Sequence, residues 1–311
     1  MKVIFFGLGS IGTRHAEILK KNFDHELFAF RTFKGQQKSN QLGIAEVSSW
    51  AQVNHLQPEV AFITNPTYRH IETALECAKR GMHLFIEKPI DCSTKGLDRL
   101  IQLARRNGQH TYVAYNLRFH PVIEYLQRQL KGKKLFHVSV QCTSRLAEWR
   151  QGYDHRQCYS AHHKMGGGVL LDLSHEFDYI EYLFGPIMKI VSRNTRLGDV
   201  TRDADDTLDA IIQTRRTQVN LHQNLYSYHQ ERTLKIDFRN GFLAADLIGN
   251  RVEGIVDGKK IRQSFPVERN QTYRRQLEYF FQQLRGKRKM MNHLEEAEVL
   301  YRKLLKIRMS S

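Results

Sequence analysis

The sequence predicts an α/β fold built in two parts. A parallel-sheet domain is predicted over residues 1–118, and an α+β domain with an open, mainly antiparallel sheet over residues 119–311. Up to about residue 118, short apolar runs alternate with helical patterns, which is typical of βαβ units. From Met188 to about Val267, strand-like runs follow one another directly, which favours an antiparallel sheet with one exposed face.

The elements of the two domains follow from the same patterns. The apolar runs predicted as strands of the first domain are KVIFFG, ELFAFR, VAFIT, HLFIE and TYVAY. Helical stretches between them end at Gly81 and Gly108, since glycine commonly closes a helix. After Pro121 the pattern changes to a helix, a long strand-like run and then the β-rich region. Two helical segments, YRRQLEYFFQQLRG and LEEAEVLYRKLLKI, finish the chain.

A further helix is predicted over residues 166–185, GGGVLLDLSHEFDYIEYLFG. Its apolar residues recur at steps of four, three and four, and they form one stripe at Leu173, Phe177, Ile180 and Phe184. Another side of the same predicted helix carries Asp172, His175 and Glu176. Taken alone, such a polar cluster is typical of a solvated helix face, so a chemical role has to be argued from the rest of the chain.

The composition indicates a folded, soluble chain. Its 311 residues are 41% hydrophobic, which is enough for one large or two medium domains. The apolar runs are too short to span a membrane, and the glycine-broken N-terminus is too short for a secretory signal. The cysteines are scattered without metal-type or redox-type pairing, which favours free thiols and a cytoplasmic location. They are Cys77, Cys92, Cys142 and Cys158.

The net charge of +16 raises the question of a nucleic-acid partner. Residues 1–120 hold 16 Lys and Arg against 10 Asp and Glu, and the remainder holds 32 against 22. The excess is therefore diffuse, and only RGKRK at Arg285–Lys289 forms a dense run. Groove recognition needs a basic face together with a reading element, so the charge pattern speaks against a nucleic-acid-binding protein.

A glycine motif follows the first predicted strand and opens the first helix. Gly7, Gly9 and Gly12 form a G-x-G-x-x-G pattern, in which the first glycine permits a tight turn and the second lets the backbone approach a pyrophosphate. The third glycine lets helix and strand pack closely. The helix N-terminus at Ser10 and Ile11 supplies amide donors and the positive end of its dipole. This context predicts a dinucleotide-binding (Rossmann) domain.

The end of the second strand indicates which dinucleotide is bound. About 20 residues past the glycines, an acidic residue would form hydrogen bonds with the two hydroxyls of the adenosine ribose. The sequence instead has Arg31, Thr32 and Lys34, and cations with a hydroxyl suit a 2′-phosphate. We therefore expect NADP(H) to be favoured over NAD(H). The alternative is that Arg31 only caps a strand end in solvent.

Four later motifs follow the glycines, namely FITNPTYRH, FIEKPI, AYNLRFHP and EWRQGYDHRQCYS. In their order and spacing they resemble the glucose–fructose oxidoreductase / inositol dehydrogenase (Gfo/Idh/MocA) family. The resemblance covers residues 1 to about 185 by motif and the remainder by architecture. It implies a dinucleotide-binding domain followed by an open-sheet domain that carries the substrate site. Besides the glycine loop, the cofactor residues that it implies are Thr64, Asn65, Pro66, His70, Glu87, Lys88 and Asn116.

The resemblance also implies the catalytic residues. Lys88 corresponds to the family's active-site lysine and His175 to its usual acid/base. Asp172 is a near match to the aspartate that accompanies this histidine, but it precedes His175 by three residues instead of four. One residue turns a helix by about 100°, which leaves the role of Asp172 open. A histidine suits proton transfer near neutral pH, and a lysine suits stabilisation of an alkoxide.

The loop before residue 166 is the predicted substrate region. Aromatic faces stack on sugar rings, and arginine binds carboxylate or phosphate through its fork. The residues predicted to bind substrate are Arg118, Trp149, Arg150, Tyr153 and Tyr159. The same loop contains Asp154, His155, Cys158, His162 and His163, but their spacing matches no closed structural zinc site, so no metal is predicted.

Together these features predict an NADP(H)-linked oxidoreductase that transfers a hydride between nicotinamide and a secondary alcohol or ketone of a carbohydrate derivative. The substrate is expected to be a sugar, an amino sugar or a nucleotide sugar. A catalytically silent dinucleotide-binding regulator of the same fold is the first alternative, and a basic nucleic-acid-binding protein is the second. Family analogy suggests a homodimer or homotetramer built on the open sheet face, and no membrane partner is expected.

Overall fold

The computed structural model describes residues 1–31, 40–149, 152, 154–286 and 289–309. Thr32, Lys34, Arg150 and Tyr153, which the sequence assigns to the cofactor and substrate sites, lie outside these ranges. The chain divides into two compact units. The first contains Met1–Tyr115 and Tyr273–Tyr301, and the second contains Asn116–Thr272 together with the residues from Arg302 onward.

The first unit is built on a parallel sheet, as the alternating pattern predicted. Its strands are β1 Lys2–Phe6, β2 Glu26–Phe30, β3 Ala45–Val47, β4 Val60–Ile63, β5 His83–Ile86 and β6 Thr111–Val113. Their order in the sheet is β3-β2-β1-β4-β5-β6. The reversal of order beside β1 places the carboxyl ends of β1, β2 and β4 at a topological switch point, where ligands bind in sheets of this kind.

Helices connect the strands of both units. They are α1 Ser10–Asn22, α2 Trp50–Leu56, α3 His70–Ala78, α4 Leu97–Arg106, α5 Pro121–Gln129, α6 Val169–Asp172, α7 His175–Phe184, α8 Gln271–Leu284 and α9 Leu294–Met309. Neither β3 nor α2 was predicted from the sequence. β3 is three residues long and mostly exposed, so it carries no apolar run. The start of α2 has a recognisable signal, because Ser49 and Gln52 form a capping box.

The second unit is built on an eight-stranded sheet, and the prediction of a mainly antiparallel sheet is confirmed. Its strands are β7 Leu135–Arg145, β8 Ile187–Thr195, β9 Thr207–Thr214, β10 Gln218–Asn224, β11 Tyr226–Phe238, β12 Gly241–Asp246, β13 Arg251–Val256 and β14 Lys259–Ser264. The order is β14-β13-β12-β11-β7-β10-β9-β8. β7 and β10 pair in parallel, and the other neighbours are antiparallel. Along β9, buried and exposed residues alternate, as expected for a sheet with one solvated face.

The division of the chain differs from the boundaries predicted at residues 118 and 119. The first unit ends at Tyr115, and residues 273–301 belong to it although they follow the second sheet in sequence. The reason is aromatic packing: Phe280 of α8 meets Phe62 of β4 and Phe85 of β5 with ring centroids 6.2 and 5.3 Å apart. These contacts bury apolar surface of the parallel sheet against α8.

All four cysteines are free thiols, as predicted. Across the described ranges, every helix is either too short or too polar to cross a membrane.

Candidate active site

The glycine turn after β1 is closed around two of its three glycines. Gly7 has φ +110°, and a Cβ at this position would lie 2.6 Å from the backbone nitrogen of Asn65. A Cβ on Gly12 would lie 2.1 Å from the carbonyl oxygen of Gly7. Thr64 holds the turn from β4, since its hydroxyl donates to that same carbonyl at 2.6 Å. Gly7, Gly12 and Thr64 therefore fix the shape of the turn.

The middle glycine has a different environment. Around Gly9 no heavy atom of the described residues lies within 4 Å of an added Cβ, and its backbone is extended, with φ −72°. Gly9 is the N-cap of α1, so the first-turn amides that follow, including those of Ser10 and Ile11, lack intrahelical acceptors. An open approach to a helix N-terminus is the geometry that receives a phosphate group.

A cleft of about 480 Å³ opens beside this turn within the first unit. It is lined by several residues that the sequence assigned to the cofactor, namely Gly7, Gly9, Arg31, Asn65 and Pro66. Other lining residues were not foreseen, namely Phe6, Leu8, Phe30, Trp50, Arg69, Glu72, Thr73 and Glu76. Trp50 stacks on Phe6 with ring centroids 5.2 Å apart and meets Phe30 at a tilt with centroids 5.1 Å apart. The cleft thus combines an aromatic wall with a glycine turn.

Both a basic and an acidic side chain lie at the end of β2, whereas the sequence predicted basic residues there. Arg31 lines the cleft, but its Nε lies 3.8 Å from the carboxylate of Glu46 on β3. The side chain of Arg31 is 11% exposed and that of Glu46 is 25% exposed. An acidic residue therefore does stand near the ribose-reading position, contributed by a strand without a sequence signal.

Two of the predicted cofactor residues are buried within the first unit. Glu87 follows β5, and its Oε1 lies 2.6 Å from Nε2 of His15 on α1. Its other oxygen accepts the backbone amide of Lys88 at 3.2 Å. His70, at the start of α3, contacts the carbonyl oxygens of Asn65 and Pro89 at 2.8 and 3.0 Å. Lys88 itself is half-buried between these two anchored positions.

Asn116 and Arg118 belong to the second unit, where other side chains engage them. The amide of Asn116 donates to the hydroxyl of Thr272 at 2.8 Å. Arg118 forms a bidentate pair with Asp178 of α7, with contacts of 3.0 and 2.8 Å, and its guanidinium lies over the ring of Tyr182. Both side chains are buried, and the planar fork of Arg118 is occupied by a carboxylate of the protein itself.

The helix predicted over residues 166–185 is broken in the middle. α6 ends at Asp172 and α7 begins at His175, with Leu173 and Ser174 between them. Asp172 is 5% exposed and Glu176 is fully buried, so the interpretation of this cluster as a solvated face is wrong. His175 is half-buried at the first position of α7. Because of the break, a rotation counted along one continuous helix does not relate Asp172 to His175.

The break is held by residues of the second sheet. Gln223 of β10 donates to the carbonyl oxygen of Leu173 at 2.8 Å and to the carboxylate of Glu176 at 3.1 Å. Glu176 also pairs with Arg232 of β11 at 2.8 Å. The carbonyl left over at the end of α6 therefore has a partner, as a buried helix end requires. Glu176 serves this packing and anchors the turn that presents His175.

The glycine-rich loop before α6 is also fixed by close contacts. Gly168 has φ +112°, and a Cβ there would lie 2.1 Å from the carboxylate of Asp205, whose other oxygen accepts the amide of Leu170 at 3.0 Å. Burial raises the pKa of Asp205 above its usual value, which its hydrogen bond to the Leu170 amide opposes. Arg308 near the C-terminus donates to the carbonyl oxygen of Gly167 at 3.2 Å.

The described part of the predicted substrate loop contains Trp149 and Tyr159. Trp149 is 39% exposed, and its indole donates to the hydroxyl of Ser144 at 3.2 Å. Tyr159 is half-buried and begins a short 3₁₀ turn, and its carbonyl oxygen accepts the amide of His162. Trp149 thus presents an aromatic surface to solvent, while the backbone of Tyr159 closes the turn before the glycines.

Two of the cysteines, Cys77 and Cys142, are buried and unsuited to act as nucleophiles. Burial raises the pKa of Cys142 to about 12, and it also raises the pKa of Cys77 well above its usual value. Both thiols therefore stay protonated near neutral pH, and a protonated thiol is a poor nucleophile. The groups suited to proton transfer and charge stabilisation are Lys88 in the first unit and His175 in the second.

Comparisons with known proteins agree with the fold and the glycine turn. A family model described as "Oxidoreductase family, NAD-binding Rossmann fold" matches residues 1–115, and one described as "GFO/IDH/MocA C-terminal domain" matches residues 134–244. A myo-inositol 2-dehydrogenase of Thermotoga maritima is 27% identical over 192 residues, which are 60% of this chain and 55% of that protein. The chain matches about half the length of such relatives.

Solved structures share the fold over the whole chain. A UDP-N-acetylglucosamine 3-dehydrogenase from Acidithiobacillus ferrooxidans has a TM-score of 0.81 at 18% identity, covering 100% of this chain and 97% of that one. The WlbA dehydrogenase from Bordetella pertussis, in complex with NADH and UDP-GlcNAcA, has a TM-score of 0.80 at 19% identity and coverages of 100% and 95%. A biliverdin reductase from Synechocystis in complex with biliverdin and NADP⁺ has a TM-score of 0.76 at 19% identity and coverages of 98% and 96%.

The two matched segments together include the glycine turn, the segment around Lys88 and the helix that carries His175. The chain belongs to the GFO/IDH/MocA oxidoreductase family, with an NAD-binding Rossmann domain at its N-terminus.

Proposed function

We propose that this protein is an NAD(P)-dependent oxidoreductase that interconverts a secondary alcohol and a ketone on a carbohydrate derivative. The observation that carries the proposal is the glycine turn, in which Gly7 and Gly12 are closed by neighbouring backbone while Gly9 is open. These residues fit a dinucleotide, because the open glycine lies at the N-terminus of α1 and beside a cleft of about 480 Å³.

In this proposal Lys88 and His175 share the chemistry. The bound nicotinamide supplies the hydride acceptor during oxidation and the hydride donor during reduction. His175 takes the proton of the substrate hydroxyl during oxidation and returns it during reduction, because imidazole transfers protons near neutral pH. The ammonium of Lys88 stabilises the negative charge that develops on the substrate oxygen. Asp172, buried at the end of α6, is proposed to support His175.

The substrate class rests on the relatives and on the predicted substrate loop. The relatives named above include dehydrogenases of myo-inositol and of UDP-N-acetylglucosamine. Trp149 supplies a partly exposed aromatic surface, which suits stacking against a sugar ring. With Arg118 bonded to Asp178, we propose that it shapes the substrate region and does not bind an anion directly.

The direct test is a substrate screen with the purified protein. Inositols, amino sugars and nucleotide sugars would each be mixed with NADP⁺ or NAD⁺, and formation of reduced nicotinamide followed by absorbance. We expect turnover with at least one class, and loss of that turnover in the Lys88→Met variant. If the protein binds NADPH tightly but neither oxidises any compound nor reduces the matching ketones, the alternative of a silent dinucleotide-binding regulator is favoured.

We also propose that NADP(H) is preferred, with Arg31 as the residue that contacts the 2′-phosphate. NADPH should bind at least about tenfold more tightly than NADH, a difference of about 1.4 kcal/mol. Arg31→Asp should reverse this order. Glu46→Gln should strengthen NADPH binding further, because it removes a negative charge 3.8 Å from Arg31.

Fluorescence titration with each reduced dinucleotide measures this preference. Glu17→Gln is a matched control, since Glu17 is an exposed residue on α1. The control should leave both affinities at the parental values. Equal affinities for NADPH and NADH in the parent, unchanged by Arg31→Asp, would rule out this role of Arg31.

The outer face of the eight-stranded sheet supports the proposal of a homo-oligomer. Val191 of β8 and Ile211 of β9 lie opposite each other in the register and are 57% and 52% exposed. Met188 on β8 is 69% exposed. An exposed cross-strand apolar pair on an open sheet is a common feature of protein interfaces. Sedimentation of the purified protein measures the assembly directly.

A further inference from the structure

We propose that His15 and His70 are positioning residues for Lys88. His15 holds the residue before Lys88, and His70 holds the residue after it. This inference rests on the proposed function, because it concerns the lysine to which that function assigns the stabilising charge. It assigns to two buried histidines a role in turnover, and it connects His70 in addition to the dinucleotide cleft through Asn65.

The first anchor runs through Glu87. His15 is fully buried on α1, and its Nε2 lies 2.6 Å from Oε1 of Glu87. The second oxygen of the same carboxylate accepts the amide of Lys88 at 3.2 Å. Since a carboxylate that is 7% exposed needs a donor for each oxygen, the His15 contact fixes the orientation of the group that holds the Lys88 backbone.

Aromatic rings hold His15 in place. Its imidazole meets the edges or tilted faces of Phe62, Phe85 and Tyr273 at centroid distances of 5.9, 5.1 and 5.8 Å. The ring therefore has little room to turn away from Glu87. Because α1 starts at the glycine turn, this contact also connects the dinucleotide-binding helix with the segment that carries Lys88.

The second anchor runs through the carbonyl of Pro89. His70 is 2% exposed, and its Nδ1 lies 3.0 Å from the carbonyl oxygen of Pro89. Its Nε2 lies 2.8 Å from the carbonyl oxygen of Asn65, a residue that lines the dinucleotide cleft. A carbonyl oxygen only accepts hydrogen bonds, so a singly protonated ring donates to one of these two carbonyls, and a doubly protonated ring donates to both. His70 thus lies between the loop after β4 and the loop after β5 and contacts both of them.

A third contact ties the same loop to α3. The carboxylate of Asp91 accepts the amide of Ile71 at 3.0 Å, directly beside His70 in the sequence. The segment from Glu87 to Asp91 is thus attached to α1 on one side of Lys88 and to α3 on the other. A side chain that must meet a reacting oxygen gains from such anchoring, because a misplacement of about 1 Å costs about a hundredfold in rate.

The two nitrogens of His70 permit a decisive pair of variants. An asparagine amide can replace the Nδ1 donor, and a glutamine amide can replace the Nε2 donor. His70→Asn should keep the bond to Pro89, so we expect it to lower turnover less than His70→Gln does and to weaken NADPH binding more. His70→Gln should keep the bond to Asn65, so we expect near-parental NADPH affinity with turnover lowered by about tenfold to a hundredfold.

His15 is tested by the same logic. His15→Gln retains a donor near the Nε2 position, whereas His15→Leu removes it. We expect Leu to lower turnover by about tenfold to a hundredfold and Gln to restore most of it, with NADPH affinity changed by less than about threefold in both. Both substitutions remove the aromatic contacts of the His15 ring, so both are expected to lower stability. Thermal denaturation measures this shared loss of stability.

A readout that needs no substrate is the reactivity of Lys88. Reductive methylation followed by peptide mass spectrometry gives the rate at Lys88 relative to Lys21, an exposed residue on α1. We expect the Lys88 rate to change in His15→Leu and His70→Gln and to stay parental in His70→Asn.

The outcomes separate this inference from the proposed function. If the His70→Asn and His70→Gln variants change turnover, NADPH affinity and Lys88 reactivity alike, the histidines are only structural and the inference is wrong. If Lys88→Met abolishes turnover while all the histidine variants keep parental turnover, the inference fails and the proposed function stands. If Lys88→Met itself turns over at the parental rate, the proposed function fails, and the positioning role fails with it.

Discussion

Replacing Lys88 by Met is expected to lower turnover by about 10²–10³, because it removes one stabiliser of the developing oxyanion. Methionine keeps much of the length of the side chain but carries no charge. Replacing His175 by Ala removes the proton acceptor, and general acid–base catalysis is worth about 10²–10⁴. Neither substitution should change NADPH affinity by more than a small factor, since the phosphates are assigned to the glycine turn.

Matched controls are available for both substitutions. Lys95→Met changes an exposed lysine seven positions further along the same segment, and His229→Ala changes a histidine on β11 whose side chain is 82% exposed. Both controls should keep parental turnover and parental NADPH affinity. The proposed mechanism is contradicted if the Lys88 and His175 variants, assayed with an identified substrate, turn over at the rates of these controls.

The sequence predicted the elements whose signals are local. The predicted strands β1, β4 and β5 are apolar runs buried on both faces of a parallel sheet, and such runs are visible in the sequence. The glycine turn was equally visible, because Gly7, Gly9 and Gly12 have a fixed spacing between a strand and a helix. The succession of strand-like runs from Met188 to about Val267 predicted the second sheet, and buried and exposed residues alternate along β9 as its one exposed face requires.

Features that depend on partners distant in sequence could not be predicted. The pairing of His15 with Glu87 spans 72 residues, and that of Glu176 with Arg232 joins a helix to a strand of the second sheet. No periodicity announces such contacts, so the partners of Glu87 and Glu176 could not be named from the sequence. Glu46 was missed for the same reason, because its short exposed strand becomes visible only when it pairs with β2.

The broken helix at residues 173–174 shows how tertiary contacts override a local pattern. The apolar stripe in GGGVLLDLSHEFDYIEYLFG is real, since Phe177, Ile180 and Phe184 are all fully buried. The stripe does not reveal the interruption, because Gln223 on β10 provides the hydrogen bonds that make it favourable. The role of Asp172 beside His175 therefore stays a proposal that the spacing alone could not decide.

Replacing Gly9 by Val is expected to abolish NADPH binding while the protein stays folded. An added Cβ at Gly9 meets no heavy atom of the described residues within 4 Å, and the backbone there is extended, a conformation that valine readily adopts. The branched side chain would instead occupy the space through which a pyrophosphate reaches the amides of α1. Hydrogen bonds to a charged group contribute about 1.5–3 kcal/mol each, so losing two of them weakens binding by about a hundredfold or more.

Gly12→Val is the matched comparison within the same turn. A Cβ at Gly12 would lie 2.1 Å from the carbonyl oxygen of Gly7 and 2.8 Å from the hydroxyl of Thr64, so this variant should lose stability as well as binding. Thermal denaturation and fluorescence titration with NADPH, applied to both variants, separate the two effects. A Gly9→Val protein with parental stability and parental NADPH affinity would show that the turn does not hold the phosphates. If Gly9→Val keeps parental stability but loses NADPH binding, and Gly12→Val loses both, the open position at Gly9 serves the dinucleotide and the closed position at Gly12 serves the fold.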